Sequence, residues 1–404
     1  MSDQSLAAKF KLKLPESLNY QERILVVEDQ QDLRLIVVHH LAKLNFKNVI
    51  HKANGYEALE FMREDSTPIG AFIVNMDMPV MGGLDFLSEL RESVDLKRTS
   101  FLLTMNQVSR EKIMLAVESG VDEVLVKPFT FSDIGPKLKS SFSKFNNPNN
   151  PEQIYELAKT KFREGNLDIA EKIYLELANY NRKSARPLVG IARINIKRGD
   201  TAKALENLAQ AENRNDQFVH LFSERANIYA RQENWDEAIK NFQIAIEMSP
   251  LNAYRYSDAA KALFAVKKFD VAVELLERAV NNDVTFHDLF HYLSQAKFAL
   301  KDYKAAAKYI RSALSADPEN IVYLNQLGIS LKELEMTDEA QKIYNQIIKL
   351  DPSNAPALYN KSILLFSRGD KDDAIKLLER LIKKHPEFKP AQAKLAEFSG
   401  KSAA

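Results

Sequence analysis

The chain has 404 residues, of which 45% are hydrophobic and 27% charged, and this composition is typical of a globular protein of two or three domains. It contains no cysteine, which excludes disulfides, thiolate metal sites and cysteine nucleophiles. Its 56 Lys and Arg residues nearly balance its 55 Asp and Glu residues, and the resulting net charge of +1 argues against a nucleic acid partner.

Residues 1–21 are predicted to be an N-terminal tail. Lys9, Lys11 and Lys13 make it basic, but it has no apolar core of signal-peptide length. No run of about 18 apolar residues occurs in the chain, so no membrane insertion is predicted. Together with the lack of cysteine, these features predict a cytoplasmic protein.

Strand and helix patterns alternate from residue 22 to residue 142. Apolar strands are predicted at 23–27, 71–74, 99–104 and 121–126. Helices are predicted at 32–44, 56–62 and 108–119. This alternation predicts an α/β fold in which a parallel sheet is covered by helices on both faces.

Polar residues follow four of these strands where each strand ends. They are Glu28 and Asp29, Asn75, Thr104, and Lys127. The carboxyl ends of parallel strands meet at one edge of a sheet, so these side chains are expected to converge. A phosphoryl-binding site needs acids that hold a divalent cation, and it needs a hydroxyl and an ammonium that bind the phosphoryl oxygens. These residues supply all of those groups.

Residues 22–142 resemble the receiver domain of bacterial two-component response regulators, a flavodoxin-like domain with a five-stranded parallel sheet. The resemblance is carried by Glu28-Asp29, by the Met-Pro-x-Met-x-Gly run at 78–83, by Thr104 and by Lys127-Pro128-Phe129. It implies a bacterial protein that acts in phosphorelay signal transduction. In that family the residue four before the proline is the aspartate that accepts the phosphoryl group, and here it is Asn75.

Three positions depart from the receiver pattern. A carboxamide such as Asn75 cannot form an acyl phosphate. Met105 stands where the family usually keeps a small residue that admits the phosphodonor, and Val124 replaces an aromatic residue that usually moves on activation. These changes predict a phosphorylation-deficient pseudo-receiver. Asp77 is a substitute acceptor only if the strand continues through it, because side chains alternate between the faces of a strand.

The acids at this edge leave two interpretations open. Glu28, Asp29 and the carbonyl or carboxylate of Asp77 are the candidate ligands for residual Mg²⁺. The amide at Asn75 removes one negative charge and predicts weak binding or none. Alternatively, Glu28, Asp29 and Lys127 form only an ion cluster that closes the end of the sheet. No other cofactor is predicted.

The last receiver helix contains Gly135-Pro136. Proline is tolerated best in a first helical turn, so the helix is predicted to start near Ser132 or Asp133, or to be kinked. In receivers this helix, with the strand and helix before it, forms the surface used for partners or dimerisation. A second protein on this surface and a homodimer both stay open, but the altered start argues against a standard dimer.

Residues 143–150 are predicted to be a linker because they are rich in turn formers. After the linker the chain repeats every 34 residues. One series of alanines is Ala170, Ala204, Ala238, Ala272, Ala306, Ala340 and Ala374. A second series of small residues is Ala158, Ala192, Ala226, Ala260, Ser294, Gly328 and Ser362.

This pattern resembles the tetratricopeptide repeat (TPR), in which small residues let paired helices approach closely. Seven repeats are predicted over 151–388, starting near 151, 185, 219, 253, 287, 321 and 355, and residues 389–404 are predicted to be a cap helix and tail. The resemblance implies an all-α superhelical solenoid whose groove binds a protein partner.

Family geometry places one residue set in that groove. These residues are Tyr155, Lys159, Phe162, Arg193, Ile196, Asn227, Lys261, Phe264, Phe298, Ile329 and Phe366. Cations mixed with aromatics predict an acidic or amphipathic peptide as the ligand. The alternative is that the phenylalanines are ordinary helix-packing residues.

No catalytic constellation is found, so the chain is predicted not to be an enzyme. His287 and His291 are spaced i, i+4, but no His-Glu-x-x-His motif accompanies them. The main hypothesis is a non-enzymatic signalling adaptor in which a pseudo-receiver is fused to a TPR scaffold. One alternative is a receiver that still switches, through metal, ligand or Asp77, and gates the groove. Another is a constitutive assembly or chaperone-like scaffold.

Overall fold

The computed structural model describes residues 23–65, 67–92, 99–146, 151–284 and 288–399. The predicted N-terminal tail, residues 147–150 of the predicted linker, His287 and residues 400–404 of the predicted C-terminal tail lie outside these ranges. The chain divides into two compact units, Met1–Ile228 with Glu247–Leu251, and Tyr229–Ile246 with Asn252–Ala404. The two units are described separately.

A five-stranded parallel sheet forms the centre of the N-terminal domain. Its strands are β1 (Ile24–Val27), β2 (Val49–Lys52), β3 (Ala71–Asn75), β4 (Ser100–Met105) and β5 (Glu123–Val126). Their order in the sheet is β2-β1-β3-β4-β5, and every neighbouring pair is parallel. The predicted α/β class is therefore confirmed.

Helices cover both faces of this sheet. They are α1 (Gln31–Lys43), α2 (Gly55–Glu64), α3 (Gly83–Glu92), α4 (Arg110–Ser119) and α5 (Phe131–Asn146). Because side chains alternate along buried strands, two separate apolar clusters form. One is centred on Phe72, Phe86 and Phe101, and the other contains Ile24 and Ile134.

Several local predictions differ from the structure, and helix α3 was not predicted. Strand β2 was not predicted, because it is a half-exposed edge strand that contains His51 and Lys52. Helix α4 begins after Ser109, whose side chain accepts a hydrogen bond from the Lys112 amide and caps the helix. Helix α5 begins at Phe131, earlier than predicted.

The early start of α5 has a capping explanation. The Asp133 carboxylate accepts hydrogen bonds from both the amide and the hydroxyl of Thr130, so the first turn is stabilised from within. Pro136 then lies inside the helix. Since proline has no amide hydrogen, it removes only the bond to the Ser132 carbonyl.

The remaining helices follow one another as repeated helix pairs, with one further helix, α20, at the end. In the first unit they are α6 (Pro151–Arg163), α7 (Leu167–Tyr180), α8 (Arg186–Arg198) and α9 (Thr201–Arg214), followed by α10 (Val219–Arg231), which continues into the second unit. The later helices are α11 (Trp235–Met248), α12 (Ala253–Ala265), α13 (Phe269–Asn281), α14 (Leu289–Ala299), α15 (Tyr303–Ala316), α16 (Ile321–Glu333), α17 (Thr337–Leu350), α18 (Ala355–Arg368), α19 (Lys371–Lys384) and α20 (Lys389–Phe398).

Small residues let the paired helices pack closely. Every member of the two small-residue series is buried. At Gly328 in α16, an added Cβ would lie 2.6 Å from the ring of Tyr344 in α17. The predicted all-α region is therefore confirmed. The exact domain limits remain a prediction. No helix within the described part of the chain combines the length and apolar composition that a bilayer crossing needs.

Candidate functional site

The polar residues predicted to converge lie at one edge of the sheet. Val27 pairs with Val74 and Asn75 pairs with Thr104, so the residues that end β1, β3 and β4 are neighbours. Glu28, Asn75 and Thr104 are each only 2% exposed. The edge therefore presents a buried polar site inside an otherwise apolar sheet.

The amide of Asn75 is the centre of this site. Its Nδ2 donates to Asp29 Oδ1 at 2.9 Å and to the Asp77 carbonyl oxygen at 2.9 Å, and it lies 3.3 Å from Glu28 Oε1. Three oxygen atoms from two loops, the one after β1 and the one after β3, thus point at one nitrogen. An amide N–H₂ group carries the positive end of the amide dipole, so it suits an environment of two carboxylates and a carbonyl.

Lys127 pairs with the other oxygen of Glu28. The distance from Lys127 Nζ to Glu28 Oε2 is 2.6 Å, and both side chains are largely buried. Lys127 precedes Pro128 in a cis peptide bond. Burial raises the pKa of the Glu28 carboxyl, while the hydrogen bond and charge of Lys127 offset part of that rise. Arg34, which sequence reasoning missed, donates to the Glu28 carbonyl oxygen at 2.5 Å.

Two buried polar atoms of the site have no hydrogen-bond partner among the described residues. They are Asn75 Oδ1 and Thr104 Oγ1. A buried polar group without a partner costs about 1–3 kcal/mol. Since β3 and β4 pair at these two residues, both atoms belong to the same part of the site.

Asp77 lies outside the buried set. Strand β3 ends at Asn75, so the condition for Asp77 to face the same way as Asn75 is not met. The Asp77 side chain is 56% exposed, and its carboxylate lies 3.6 Å from Lys112 Nζ. Only its backbone carbonyl joins the site, through the amide of Asn75.

Of the three predicted metal ligands, Glu28, Asp29 and the backbone carbonyl of Asp77 meet at the Asn75 amide nitrogen, whereas the Asp77 carboxylate lies apart from them. Within the described ranges, no group of three or more His, Asp or Glu side chains is placed to hold a metal ion. The Glu28 carboxylate is shared with Lys127, the Asp77 carboxylate faces Lys112, and the amide nitrogen of Asn75 occupies the point where the remaining oxygens converge. This donor set therefore fits Mg²⁺ poorly, because a cation would have to displace the amide.

Other residues near the site have packing roles. Met105 is fully buried in the apolar cluster around Phe72, so it fills the core. Val124 is partly buried and packs against the same cluster. Gly83 ends the Met-Pro-x-Met-x-Gly run, and an added Cβ there would clash with the Asn75 carbonyl oxygen. A glycine at this position lets α3 begin directly beside the site.

The groove residues of the first unit are mostly engaged with neighbouring side chains. Tyr155 is 6% exposed and lies under the guanidinium of Arg186, 3.9 Å from the ring centroid. Lys197 lies over the ring of Phe162. Lys159 pairs with Glu156 and Arg193 pairs with Glu224, while Ile196 and Asn227 are half-buried.

The second unit repeats this behaviour. Phe264 packs against Phe269 and Tyr292, and Phe298 packs against Tyr303. Lys261 is exposed and lies 3.2 Å from Asp258. His291 contacts Gln295, while His287, its predicted companion, lies outside the described residues. All three predicted groove cations therefore have acidic neighbours, which weakens the argument for an acidic peptide as the ligand.

A cavity that was not predicted lies among α7, α8 and α9. Its volume is about 550 Å³, and Leu175, Leu188 and Ile191 contribute its apolar lining. At its polar side, Asn195 Nδ2 donates to Asn207 Oδ1 at 2.8 Å. The matching positions two repeats later are leucines, Leu263 and Leu275. A comparison of the same positions across repeats would have identified this polar pair.

Fold and site together define a receiver of the signal-transduction class joined to tetratricopeptide repeats. A response regulator receiver domain model matches residues 24–139, and tetratricopeptide repeat models match residues 223–283, 257–321 and 331–397. Chemotaxis protein CheY-3 of Vibrio cholerae serotype O1 is 32% identical over 127 residues, which are 31% of this chain and 96% of that protein. The chain belongs, through its N-terminal domain, to the response regulator receiver family.

Two further similarities agree with this assignment. The probable chemotaxis protein CheY of Rhizobium etli is 29% identical over 120 residues, which are 30% of this chain and 92% of that protein. The solved C-terminal part of a TPR repeat-containing protein from Cytophaga hutchinsonii is 16% identical, with a TM-score of 0.50, over 60% of this chain and 99% of that one. The second similarity concerns the fold alone, and it supports the predicted solenoid of repeats.

Proposed function

We propose that this chain is a non-enzymatic signal-transduction adaptor whose receiver does not accept a phosphoryl group and whose repeats bind a protein partner. The combination of a receiver domain with tetratricopeptide repeats supports the adaptor role. The phosphorylation deficiency rests on the chemistry and contacts of one side chain, Asn75.

The observation that carries the proposal is the position of the Asn75 amide nitrogen among Glu28, Asp29 and the Asp77 carbonyl oxygen. A carboxamide is neutral and not nucleophilic, so it cannot attack phosphorus. Its N–H₂ group instead satisfies the acids that would otherwise repel one another. The site is thus stable as a hydrogen-bonded set without an added charge.

Asp77 is a weaker candidate for the phosphoryl acceptor. Its carboxylate is exposed and close to Lys112, whereas the buried ammonium of the site, Lys127, is paired with Glu28. Phosphoryl transfer depends on positioning and on positive charge around the phosphoryl oxygens. At Asp77, Lys112 would be the one cation near a bound phosphoryl group among the described residues, and it lies at the surface without buried hydrogen-bond donors beside it.

Intact-mass spectrometry tests the deficiency directly. The purified full chain is incubated with Mg²⁺ and acetyl phosphate, and the wild type is expected to gain no phosphoryl group. The Asn75→Asp variant is the positive control, because it supplies a carboxylate beside Lys127. A phosphoryl adduct on the wild type would contradict the proposal, and its loss in Asp77→Asn would then identify Asp77 as the acceptor.

The repeats are proposed to hold a partner through half-buried aromatic side chains such as Phe162, Phe264 and Phe298. Aromatic residues are frequent anchors in protein interfaces. Capture of partners from the native lysate by wild type and by Phe264→Ala tests this role, with Phe388→Ala as a control aromatic outside the predicted groove. Capture that falls equally in both variants would show a loss of fold and not of a binding site.

A further inference from the structure

The N-terminal domain contacts one repeat directly. Ser249 Oγ donates to Glu118 Oε2 at 3.2 Å, although the two residues are 131 positions apart. Glu118 lies near the end of α4, and Ser249 follows α11. Both belong to the first compact unit, which takes in the short turn Glu247–Leu251 from the third repeat.

The residue that the repeat contributes to this contact is buried. Ser249 is 0% exposed, and Glu118 is half-buried. A hydrogen bond to a charged, partly buried carboxylate is stronger than one between two neutral groups. Beside it, Val117 of α4 is 66% exposed, so the contact holds only one edge of this helix.

The residue at the contact differs from its counterparts in the later repeats. Ser249 precedes Pro250, the proline that closes the third repeat. The corresponding residues are Asn181 and Asn215 in the first two repeats, Asp283, Asp317 and Asp351 in the fourth to sixth, and His385 in the last. An aspartate at position 249 would place a second carboxylate against Glu118, and like charges at this distance repel. Serine can donate a hydrogen bond there instead.

We infer that α4 and the segment Glu247–Leu251 form a specific intramolecular interface, in which Ser249 stands where the fourth to sixth repeats carry aspartate, so that this segment can bind the receiver at Glu118. A protein that needs this edge of α4 must then displace the chain's own third repeat. The inference does not depend on the chemistry at Asn75.

The test uses the aspartate that other repeats already tolerate. In the full chain, Ser249→Asp should make the backbone amides of α4 and of Glu247–Leu251 exchange with deuterium at least about fivefold faster, because the bond is lost and a repulsion is added. Adding Glu118→Gln should return both segments to within about twofold of the wild type, since the amide can donate to the new carboxylate.

A matched double variant separates the interface from a local effect. Glu111→Gln changes an acid on the same helix away from the contact, and in combination with Ser249→Asp it should not restore protection. Unchanged exchange in Ser249→Asp would overturn the inference. The inference would also be overturned if exchange became faster only in Glu247–Leu251 and stayed equally fast in the double variant with Glu118→Gln. That result would show that the aspartate disturbs this segment alone.

Discussion

Asn75 shows how one side chain can change the requirements of a whole site. Its amide nitrogen satisfies Asp29, the Asp77 carbonyl and one oxygen of Glu28. A carboxylate at this position would remove these bonds and add a third buried negative charge. The acids would then need a cation to stay together.

The first prediction follows from this exchange of charge. Asn75→Asp should lower the free energy of unfolding by about 1–3 kcal/mol without divalent cations, and Mg²⁺ should recover part of the loss. The wild type should show no comparable response to Mg²⁺. Urea unfolding with and without MgCl₂ measures both, and saturable stabilisation of the wild type would contradict the expectation.

The second prediction concerns Lys127 and pH. Burial raises the pKa of Glu28 above its usual value, so its ionisation as pH rises through the raised pKa removes stability. Lys127 opposes this shift, and Lys127→Met should therefore lose more stability at pH 8 than at pH 5, with a loss of about 3–5 kcal/mol at the higher pH. Urea unfolding over a pH series measures the difference.

A partly exposed pair provides the control for Lys127. Lys137 lies 3.2 Å from Glu123, and its side chain is 39% exposed. Lys137→Met should cost less than about 1 kcal/mol, with little pH dependence. Equal pH profiles for the two variants would show that the burial of Glu28 is not the cause.

At the scale of elements, the hydrogen-bonded pair Asn195 and Asn207 in the second repeat should tolerate replacement only when both residues are changed together. Asn207→Leu leaves the buried Asn195 amide without its acceptor and should cost about 1–3 kcal/mol. Adding Asn195→Leu reproduces the pair found at Leu263 and Leu275 and should return stability to within about 1 kcal/mol of the wild type. A double variant no more stable than the single one in urea would contradict this account.

Helix packing predicts an equally local effect at Gly328. Alanine is a better helix former than glycine by about 1 kcal/mol, but here its Cβ would meet the ring of Tyr344. Gly328→Ala should therefore be destabilising by about 1–3 kcal/mol in thermal or urea unfolding. Gly135→Ala in α5 is the control, because its Cβ would meet only the flexible Leu44 side chain at 3.2 Å.

The elements also show what could be predicted from sequence. Buried parallel strands and the 34-residue period are encoded in apolar runs and in alanine spacing, and both predictions hold at the level of fold. Strand β2 and the start of α5 could not be predicted, because the first is a polar edge strand and the second depends on a capping contact to Thr130. The convergence at the sheet edge follows from parallel topology, whereas the contacts of the Asn75 amide depend on side-chain orientations that no pattern reports.

At the scale of the whole molecule, the two compact units predict separate unfolding steps. The single tryptophan of the chain is Trp235, which lies in the second unit. Its fluorescence should therefore follow only that unit, while far-UV circular dichroism follows the whole chain, and their urea transitions should not coincide. In Lys127→Met the dichroism transition should shift to lower urea concentration while the fluorescence transition stays unchanged. Coincident transitions in the wild type would contradict the expectation, because they would show one cooperative unit.

The hydrogen-bonded amide at Asn75 has a consequence for how a cell could adjust this protein. Under the proposed function the receiver takes no phosphoryl group, and it would then not report the activity of a kinase from one second to the next. Its contribution would then be set by how many copies are synthesised and degraded, and by competition among the proteins that bind it. Changes in its output should accordingly follow gene expression over a generation time and not the faster turnover of a phosphorylated state.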